Sequence, residues 1–310
     1  EINQEQDQYF VPEVVLRDKP LPLLKRLACW SDHPSTNEGI LDVLDHCPFV
    51  EHFRIPIVAA VGSDLDSLAV SINKKCPIIC SLESRSYEEG PLLLAIMDTM
   101  PSHQLEEIKI STTTSIFNND AARRAFGRHS STLRDINLRY ASVKSKDLLV
   151  ILELCGSLET LIQHTNHGIG PILTLADAIS VPWACNKIRR LEMTIGLTKV
   201  SLQDPYYKRT VPVVLSEEER RQFADLEMFY RQIGNLVQLE YIDLHGLYLE
   251  YGGKPRYPAL MEEVTFPGML SLQDDTTGRP GYLDLLAGLV NLKELRGSVR
   301  VTTDEAQNTV

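Results

Sequence analysis

The sequence has 310 residues, of which 43% are hydrophobic and 24% are charged, and a chain of this composition can bury a substantial core. Its 42 acidic residues outnumber its 31 basic ones and give a formal charge of −11, which disfavours nucleic acid and anionic membranes as partners. The most apolar stretch, 148–154, is interrupted by Glu153 and is too short to cross a bilayer. We therefore expect no membrane span and no nucleic-acid site.

Cysteine usage favours a reducing compartment. Six cysteines are too few for a disulfide scaffold in a chain of this size, and no asparagine begins an Asn-x-Ser/Thr sequon. We expect a cytoplasmic or nuclear protein. Because the sequence begins at Glu1 and not at a methionine, we interpret it as a fragment of a longer chain.

Short segments of the form apolar-x-x-apolar-x-apolar recur along the chain. The first seven begin 26, 29, 26, 28, 25 and 30 residues apart, close to the period of about 20 to 29 residues in leucine-rich repeats. Two more follow after intervals of 51 and 53 residues, as expected if a degenerate repeat or a long loop fills each gap. The nine segments begin at Leu24, Val50, Ile79, Leu105, Leu133, Leu158, Ile188, Leu239 and Leu292.

Alternation within each segment predicts a half-buried strand with one row of side chains facing solvent. Between the strands, apolar residues three and four positions apart predict helices. Units of one strand and one helix bury their faces against their neighbours, as in a solenoid. The predicted helices span residues 39–46, 65–74, 92–100, 121–128, 147–154 and 172–179.

A small residue stands three positions before most of these segments, where a helix would return to the sheet. We predict a buried position with limited space, in which a thiol packs as a compact apolar group. Cys47, Cys76, Cys155 and Cys185 occupy it, and Ser102 and Ser130 hold the same place.

Four stretches carry a family resemblance that spans about residues 21–298. They are Cys47-Pro-x-Val-x-x-Phe, Cys155-Gly-x-Leu-x-x-Leu, Trp183-Ala-Cys-Asn-Lys-Ile-Arg-Arg-Leu191 and Leu289-Val-Asn-Leu-Lys-Glu-Leu-Arg-Gly-Ser298. In these stretches the chain resembles the F-box-like leucine-rich-repeat proteins that are abundant in fungi. The resemblance implies a right-handed α/β solenoid with a parallel sheet on its concave face and helices on its convex face.

In that family an F-box binds a Skp-type adaptor of a cullin ubiquitin ligase, and the repeats select the substrate. The residues up to about Leu27 leave no room for an F-box, so we expect an adaptor contact only if an F-box lies upstream. The resemblance thus implies a protein partner that is a ubiquitination substrate. The alternative is a scaffold or regulatory binding protein without a ligase.

The predicted layout has an N-terminal flank or cap over residues 1–20, the leucine-rich-repeat solenoid over 21–300 and a truncated C-terminal tail over 301–310. Irregular insertions interrupt the solenoid near 198–216 and 251–282. A capping box at Ser216 and Glu219 predicts a helix after the first insertion, with Phe223, Leu226, Phe229, Tyr230 and Ile233 on its buried side.

The partner is expected to bind the outward-facing strand positions, where arginine, tryptophan and tyrosine favour interface hot spots. The alternative is a solvated face whose charges pair across neighbouring strands. The predicted contacts on the concave face are Trp30, Arg54, Arg85, Lys109, Arg139, His164, Arg190, Tyr241, His245 and Arg296. Tyr206, Tyr207 and Arg209 in the first insertion are possible loop contacts.

No phosphate loop, nucleophile elbow or His-Glu-x-x-His helix occurs in the sequence, so we expect neither an enzyme nor a bound cofactor. One imagined metal site groups His46, Cys47 and His52. It conflicts with the repeated buried position of Cys47. A second groups His164 and His167 near Asp177, and we do not expect either site.

Overall fold

The computed structural model describes residues 20–28, 36–55, 65–85, 89–111, 119–139, 141, 143–163, 172–198, 217–249, 273–274 and 279–297. Within these ranges the chain is an α/β protein built on one long parallel sheet. The predicted tail and nearly all of the first insertion fall outside them. So do five predicted contact residues, Trp30, His164, Tyr206, Tyr207 and Arg209.

Each of the nine recurring segments contains a strand, and every one of these strands begins two residues after the segment does. The prediction of nine strands from alternation is therefore confirmed. The described strands are β1 Arg26–Ala28, β2 His52–Arg54, β3 Ser81–Ser84, β4 Glu107–Ile110, β5 Asp135–Asn137, β6 Thr160–Ile162, β7 Leu173–Thr174, β8 Arg190–Thr198, β9 Tyr241–Leu249, β10 Gln273–Asp274, β11 Arg279–Pro280 and β12 Glu294–Gly297.

The nine strands pair in parallel, in the order β1-β2-β3-β4-β5-β6-β8-β9-β12. Neighbouring strands pair without a shift, so Ile108 lies opposite Ile136, and Ile136 lies opposite Leu161. Corresponding residues of successive units therefore form straight rows across the sheet. This parallel α/β repeat architecture fits a solenoid.

A helix separates most successive strands, and each helix packs against the next one along the chain. The described helices are α1 Asn37–Asp45, α2 Leu65–Lys75, α3 Gly90–Thr99, α4 Asn119–His129, α5 Ser145–Leu154, α6 Leu175–Ser180 and α7 Glu217–Gly234, followed by a 3-10 turn at Leu283–Leu286. None of these helices is both long and apolar enough to cross a bilayer.

The helix predicted over 172–179 starts late, at Leu175. Thr174 has extended backbone and its hydroxyl accepts a hydrogen bond from the Asp177 amide at 3.1 Å, so it caps α6. Leu173 and Thr174 instead pair with the far end of β8 as strand β7. The helical spacing of apolar residues did not predict this short strand because two residues are too few to show alternation.

The core lies between the sheet and the helices. The second residue of each inner strand of the nine is buried there, with at most 1% of its surface exposed, and each such side chain stabilises the fold by about 1.5–3 kcal/mol. Leu27 and Leu295 are only partly buried. They lie on β1 and β12, the end strands of the described sheet, and each has a neighbouring strand on one side only. The buried inner residues are Phe53, Leu82, Ile108, Ile136, Leu161, Leu191 and Ile242.

The predicted buried position before each strand is confirmed for the cysteines and wrong for the serines. Cys47, Cys76, Cys155 and Cys185 are all buried, whereas Ser102 is exposed and Ser130 is half-buried. In those two units the buried residues at the preceding helix ends are Met100 and His129, both fully buried.

The two long intervals contain no further strand of the main sheet in the described residues. Although 42 residues separate Thr198 from Tyr241, β8 pairs directly with β9, and β9 pairs directly with β12. Helix α7 fills the first interval, and its predicted apolar stripe is buried. In the second interval β10 and β11 form a small antiparallel pair outside the main sheet.

Candidate functional site

The face of the sheet opposite the helices, called here the open face, carries two rows of mostly polar side chains. Each strand contributes its first and third residue to these rows, and the strand register aligns them. The first row is Arg26, His52, Ser81, Glu107, Asp135, Thr160, Arg190, Tyr241 and Glu294. The second is Ala28, Arg54, Glu83, Lys109, Asn137, Ile162, Glu192, Asp243 and Arg296.

The densest part of the open face is the Tyr241 cluster, formed by Arg139, Arg190, Glu192, Tyr241 and Arg296. The Arg190 guanidinium lies 4.4 Å from the centre of the Tyr241 ring, and that of Arg296 lies 5.7 Å from it. Both distances allow a cation–π attraction. Partial burial and the nearby carboxylates Asp243 and Glu192 raise the pKa of Tyr241, so the phenol stays neutral and can donate a hydrogen bond.

Glu192 holds this cluster together because its side chain is only 4% exposed and its carboxylate is paired at both oxygens. Its two oxygens accept hydrogen bonds from Arg139 at 2.9 Å and from Arg190 at 2.8 Å. Arg139 reaches it from the end of β5, across β6. Removal of either arginine would weaken the pairing of a buried charge, which is costly, so the two guanidinium groups are held in place.

Next to the cluster, the His245 Nε2 atom lies 2.8 Å from the Asp243 Oδ1 atom. Both residues belong to β9, and both side chains are largely buried. Histidine here extends the polar surface beyond the two rows, toward the end of the strand.

The first half of the open face is organised around Glu107. Its carboxylate accepts a hydrogen bond from the Ser81 hydroxyl at 2.6 Å, pairs with Lys109 at 2.5 Å and lies 3.7 Å from the His52 ring. Burial opposes its ionisation, but the Lys109 and Ser81 hydrogen bonds hold the pKa of Glu107 below its ordinary value. Because Ser81 donates to Glu107 and is itself buried, its hydroxyl serves this network.

The structure places eight of the predicted contact residues on or beside the open face. Six lie in strands, and Arg85 and Arg139 follow β3 and β5 directly or within two residues. Arg85 pairs with Glu83, and Arg296 pairs with Glu294. The strand residues are Arg54, Lys109, Arg190, Tyr241, His245 and Arg296.

The sequence-based prediction chose large basic and aromatic residues as partner contacts. It therefore omitted the acidic residues of this surface. Glu192 and Glu107 each organise two or more neighbours, although neither belongs to a residue class that dominates interface hot spots. The available signal was their alignment, in the predicted strand register, with basic residues on the same face.

A scan against models of known protein families finds no match, and a search of curated proteins finds no significantly similar sequence. The class to which this chain belongs is therefore defined by its fold, a parallel α/β repeat protein with a polar open face.

Proposed function

We propose that the chain is a leucine-rich-repeat solenoid that binds a protein partner through its open face. The unit of one short parallel strand and one helix, repeated every 25 to 30 residues, supports the repeat type. One observation carries the binding function: the Tyr241 cluster combines a tyrosine, three arginines and a buried acid on an aligned surface. Such preordered aromatic and arginine groups are typical of interface hot spots.

Mixed charge on this face favours a protein over a nucleic acid. A phosphate backbone would select lysine and arginine without intervening carboxylates, whereas Glu107, Glu192 and Asp243 lie among the cations here. A partner surface with both charges and an apolar group for the Tyr241 ring fits better. We also propose that the chain is not an enzyme, which is supported by a sequence without a phosphate loop, a nucleophile elbow or a His-Glu-x-x-His helix.

Proximity labelling in cells, with the whole chain as the labelling fusion, tests this function by identifying the proteins that bind it. Wild type is compared with Tyr241→Ala and with Arg190→Ala, each expected to weaken partner binding by about 30-fold, which is the effect of losing one hot spot. Arg123→Ala is the matched control, because Arg123 is exposed on helix α4 and pairs with Glu153 away from the sheet. Partners labelled equally by all four proteins would contradict binding through the open face.

The narrower proposal is that this partner is the substrate of an F-box-like ubiquitin-ligase receptor. It is supported by the sequence resemblance and by nothing in the site geometry. The protein purified from its host would then carry a Skp-type adaptor. A partner that binds wild type but not Tyr241→Ala would accumulate in cells when the proteasome is inhibited. Partner binding without adaptor and without accumulation favours the ligase-independent scaffold.

A further inference from the structure

A second surface runs along the edge of the sheet at which the strands begin. The residue directly before each strand of the main sheet forms a row there, and backbone hydrogen bonds join its members in sequence, for example Cys80 N to Glu51 O at 2.8 Å and Glu106 N to Cys80 O at 2.8 Å. We call this the entry row. Its members are Lys25, Glu51, Cys80, Glu106, Arg134, Glu159, Arg189, Glu240 and Lys293.

Charges in the entry row alternate in sign, and neighbours pair. Lys25 pairs with Glu51 at 2.7 Å, Arg134 with Glu159 at 3.6 Å, and Lys293 with Glu240 at 2.6 Å. Arg189 also pairs with Glu240. Basic and acidic residues thus alternate in the first two positions of the entry row, and again in its last six, from Glu106 to Lys293.

The alternation breaks at Cys80, which stands between Glu51 and Glu106 where the pattern calls for a cation. Glu106 is exposed and forms no ion pair with any residue that the structure describes. Burial raises the pKa of the Cys80 thiol, and the nearby carboxylates Glu106, Glu51 and Glu107 raise it further.

An apolar patch lies beside this gap. The residue three positions before the strand is Leu23, Phe49 or Ile78 in the first three units, and these side chains are 91%, 47% and 42% exposed. Exposed apolar side chains at the same position of three consecutive, paired units are typical of interaction sites. We call these three residues the edge patch.

The corresponding position changes character after the third unit. Gln104 donates hydrogen bonds to the Pro77 and Ile79 carbonyls, both at 2.7 Å, and Thr132 donates to the Leu105 carbonyl at 2.9 Å. These polar residues join one unit to the preceding one. The side chains of Leu23, Phe49 and Ile78 have no polar atoms and cannot make such hydrogen bonds. Their position at the surface therefore does not serve to join neighbouring units in this way.

We propose that the edge patch and the entry-row gap together bind a segment of a protein partner that presents apolar side chains and a lysine or arginine. The apolar groups would cover Leu23, Phe49 and Ile78, and the cation would lie between Glu51 and Glu106. Strands are spaced about 4.8 Å apart, so the site spans about 14 Å over the first four units. That length corresponds to about four or five extended residues. This site is separate from the open face and does not depend on it.

The probe is a library of random 12-residue peptides displayed on phage, selected on the whole chain and counter-selected on the double variant Phe49→Ser/Ile78→Ser. We expect the survivors to combine apolar residues with a lysine or arginine. Synthetic survivors should bind the double variant at least 10-fold more weakly. Glu106→Lys should weaken them several-fold, with the loss reduced at high salt.

Two matched variants control for general surface effects. Val290→Ser removes an 82% exposed apolar side chain at the other end of the sheet, and Glu38→Lys reverses an exposed charge on helix α1. Both should leave binding unchanged. Urea unfolding curves of all variants should match wild type because every changed side chain is at least partly exposed.

Carbodiimide cross-linking identifies what occupies the site, because the reagent joins a carboxylate to a nearby lysine amine. A cross-link from Glu106 or Glu51 to the lysine of a selected peptide supports the proposal. A cross-link to Lys19 of the same chain, or to a lysine of a second, isotope-labelled copy, means that the chain occupies its own edge and overturns it. Survivors without a basic residue, or no survivors after counter-selection, also overturn it.

Discussion

The units of this sheet are joined in two different ways, which a comparison of the middle with the C-terminal end makes clear. In the middle seams, between helices α2, α3 and α4, polar side chains of one unit reach backbone groups of the next. Asn73 donates to the Ile96 carbonyl at 3.1 Å, and the His129 Nε2 atom lies 2.9 Å from the Met97 carbonyl oxygen.

The C-terminal seam, between α7 and the 3-10 turn, has such a hydrogen bond too, from the Tyr282 hydroxyl to the Phe223 carbonyl at 3.4 Å, but it adds close packing of rings and backbone. The rings of Tyr230 and Tyr282 stack with their centres 4.6 Å apart. Gly234 and Gly288 allow the two backbones to approach closely, since an added Cβ at Gly234 would lie 2.1 Å from the Leu285 carbonyl oxygen. The middle seams have no comparable close approach at the glycine of helix α4, where an added Cβ at Gly127 would lie 3.9 Å from the nearest heavy atom. The larger, less regular C-terminal unit is fitted by close packing.

The largest expected effect tests the close approach. Gly234→Ala should lower the free energy of unfolding by about 3 kcal/mol, because its methyl group meets backbone that cannot rotate away. Urea unfolding followed by Trp183 fluorescence reports on it, since Trp183 packs against Phe229 with ring centres 6.0 Å apart.

Gly127→Ala, in helix α4, is the matched control at a middle unit. A Cβ there lies 3.9 Å from the nearest heavy atom, the Leu154 Cδ1, and alanine within a helix is more stable than glycine by about 0.5–1 kcal/mol. Equal destabilisation by both alanines would show that the two seams do not differ.

The next effect concerns His129, which is fully buried in a middle seam. Its Nδ1 accepts from the Leu105 amide at 3.3 Å, so Nε2 carries the proton donated to the Met97 carbonyl. His129→Leu leaves that amide and that carbonyl without their partner, and we expect a loss of about 2 kcal/mol. His103→Asn, at an exposed position whose φ of 63° suits asparagine, should change stability by less than about 0.5 kcal/mol.

The burial of His129 also predicts how the free energy of unfolding depends on pH. Burial lowers the pKa of His129 below 6.5, although the Met97 carbonyl opposes this shift. The unfolded chain therefore binds more protons than the folded one as the pH falls past 6.5, and stability must decrease there. Wild type should lose stability on acidification more steeply than His129→Leu in urea titrations between about pH 8 and pH 5. Parallel curves would contradict a neutral, buried histidine.

A smaller effect is expected at Asn73, whose amide also donates to the Thr99 hydroxyl at 2.7 Å. Asn73→Ala should lower the free energy of unfolding by about 1 kcal/mol, the net value of such hydrogen bonds. Relative to wild type, amide hydrogen exchange should become faster in α2 and α3 than in α7. Uniform acceleration along the chain would mean that this hydrogen bond does not act locally.

The smallest effect is expected at the surface of the C-terminal end. Arg189 pairs with Glu240 in the entry row, and the hydrogen bond with that carboxylate raises the pKa of Arg189. Because the pair is exposed, Arg189→Gln should leave the urea midpoint unchanged. A clear loss would show that the entry row stabilises the C-terminal end as much as packing does.

The main sheet could be predicted because alternation and period are local properties of the sequence. Phe53, Ile108 and Ile136 alternate with polar neighbours and are buried as expected. Strand β7 and the full lengths of β8 and β9 were not predictable, because those residues are ordered by pairing with distant strands. Ser102 was misplaced because its spacing from the strand does not show which residue at the helix end is buried, and here that residue is Met100.

The candidate site was predictable as rows and not as pairs. Alternation assigned Arg190 and Tyr241 to one face, and the strand register sets them side by side. The burial of Glu192 and the reach of Arg139 across β6 depend on side-chain directions in three dimensions. Sequence spacing contains no information about those directions.

The in-step pairing of strands has an evolutionary consequence. Although 42 residues stand between Thr198 and Tyr241, Arg190 still lies opposite Tyr241, so chain length between strands varies without disturbing the lattice of side chains on the exposed sheet. The length of a connection can therefore change without altering this lattice, whereas the chemistry of the lattice changes when a residue within a strand is replaced.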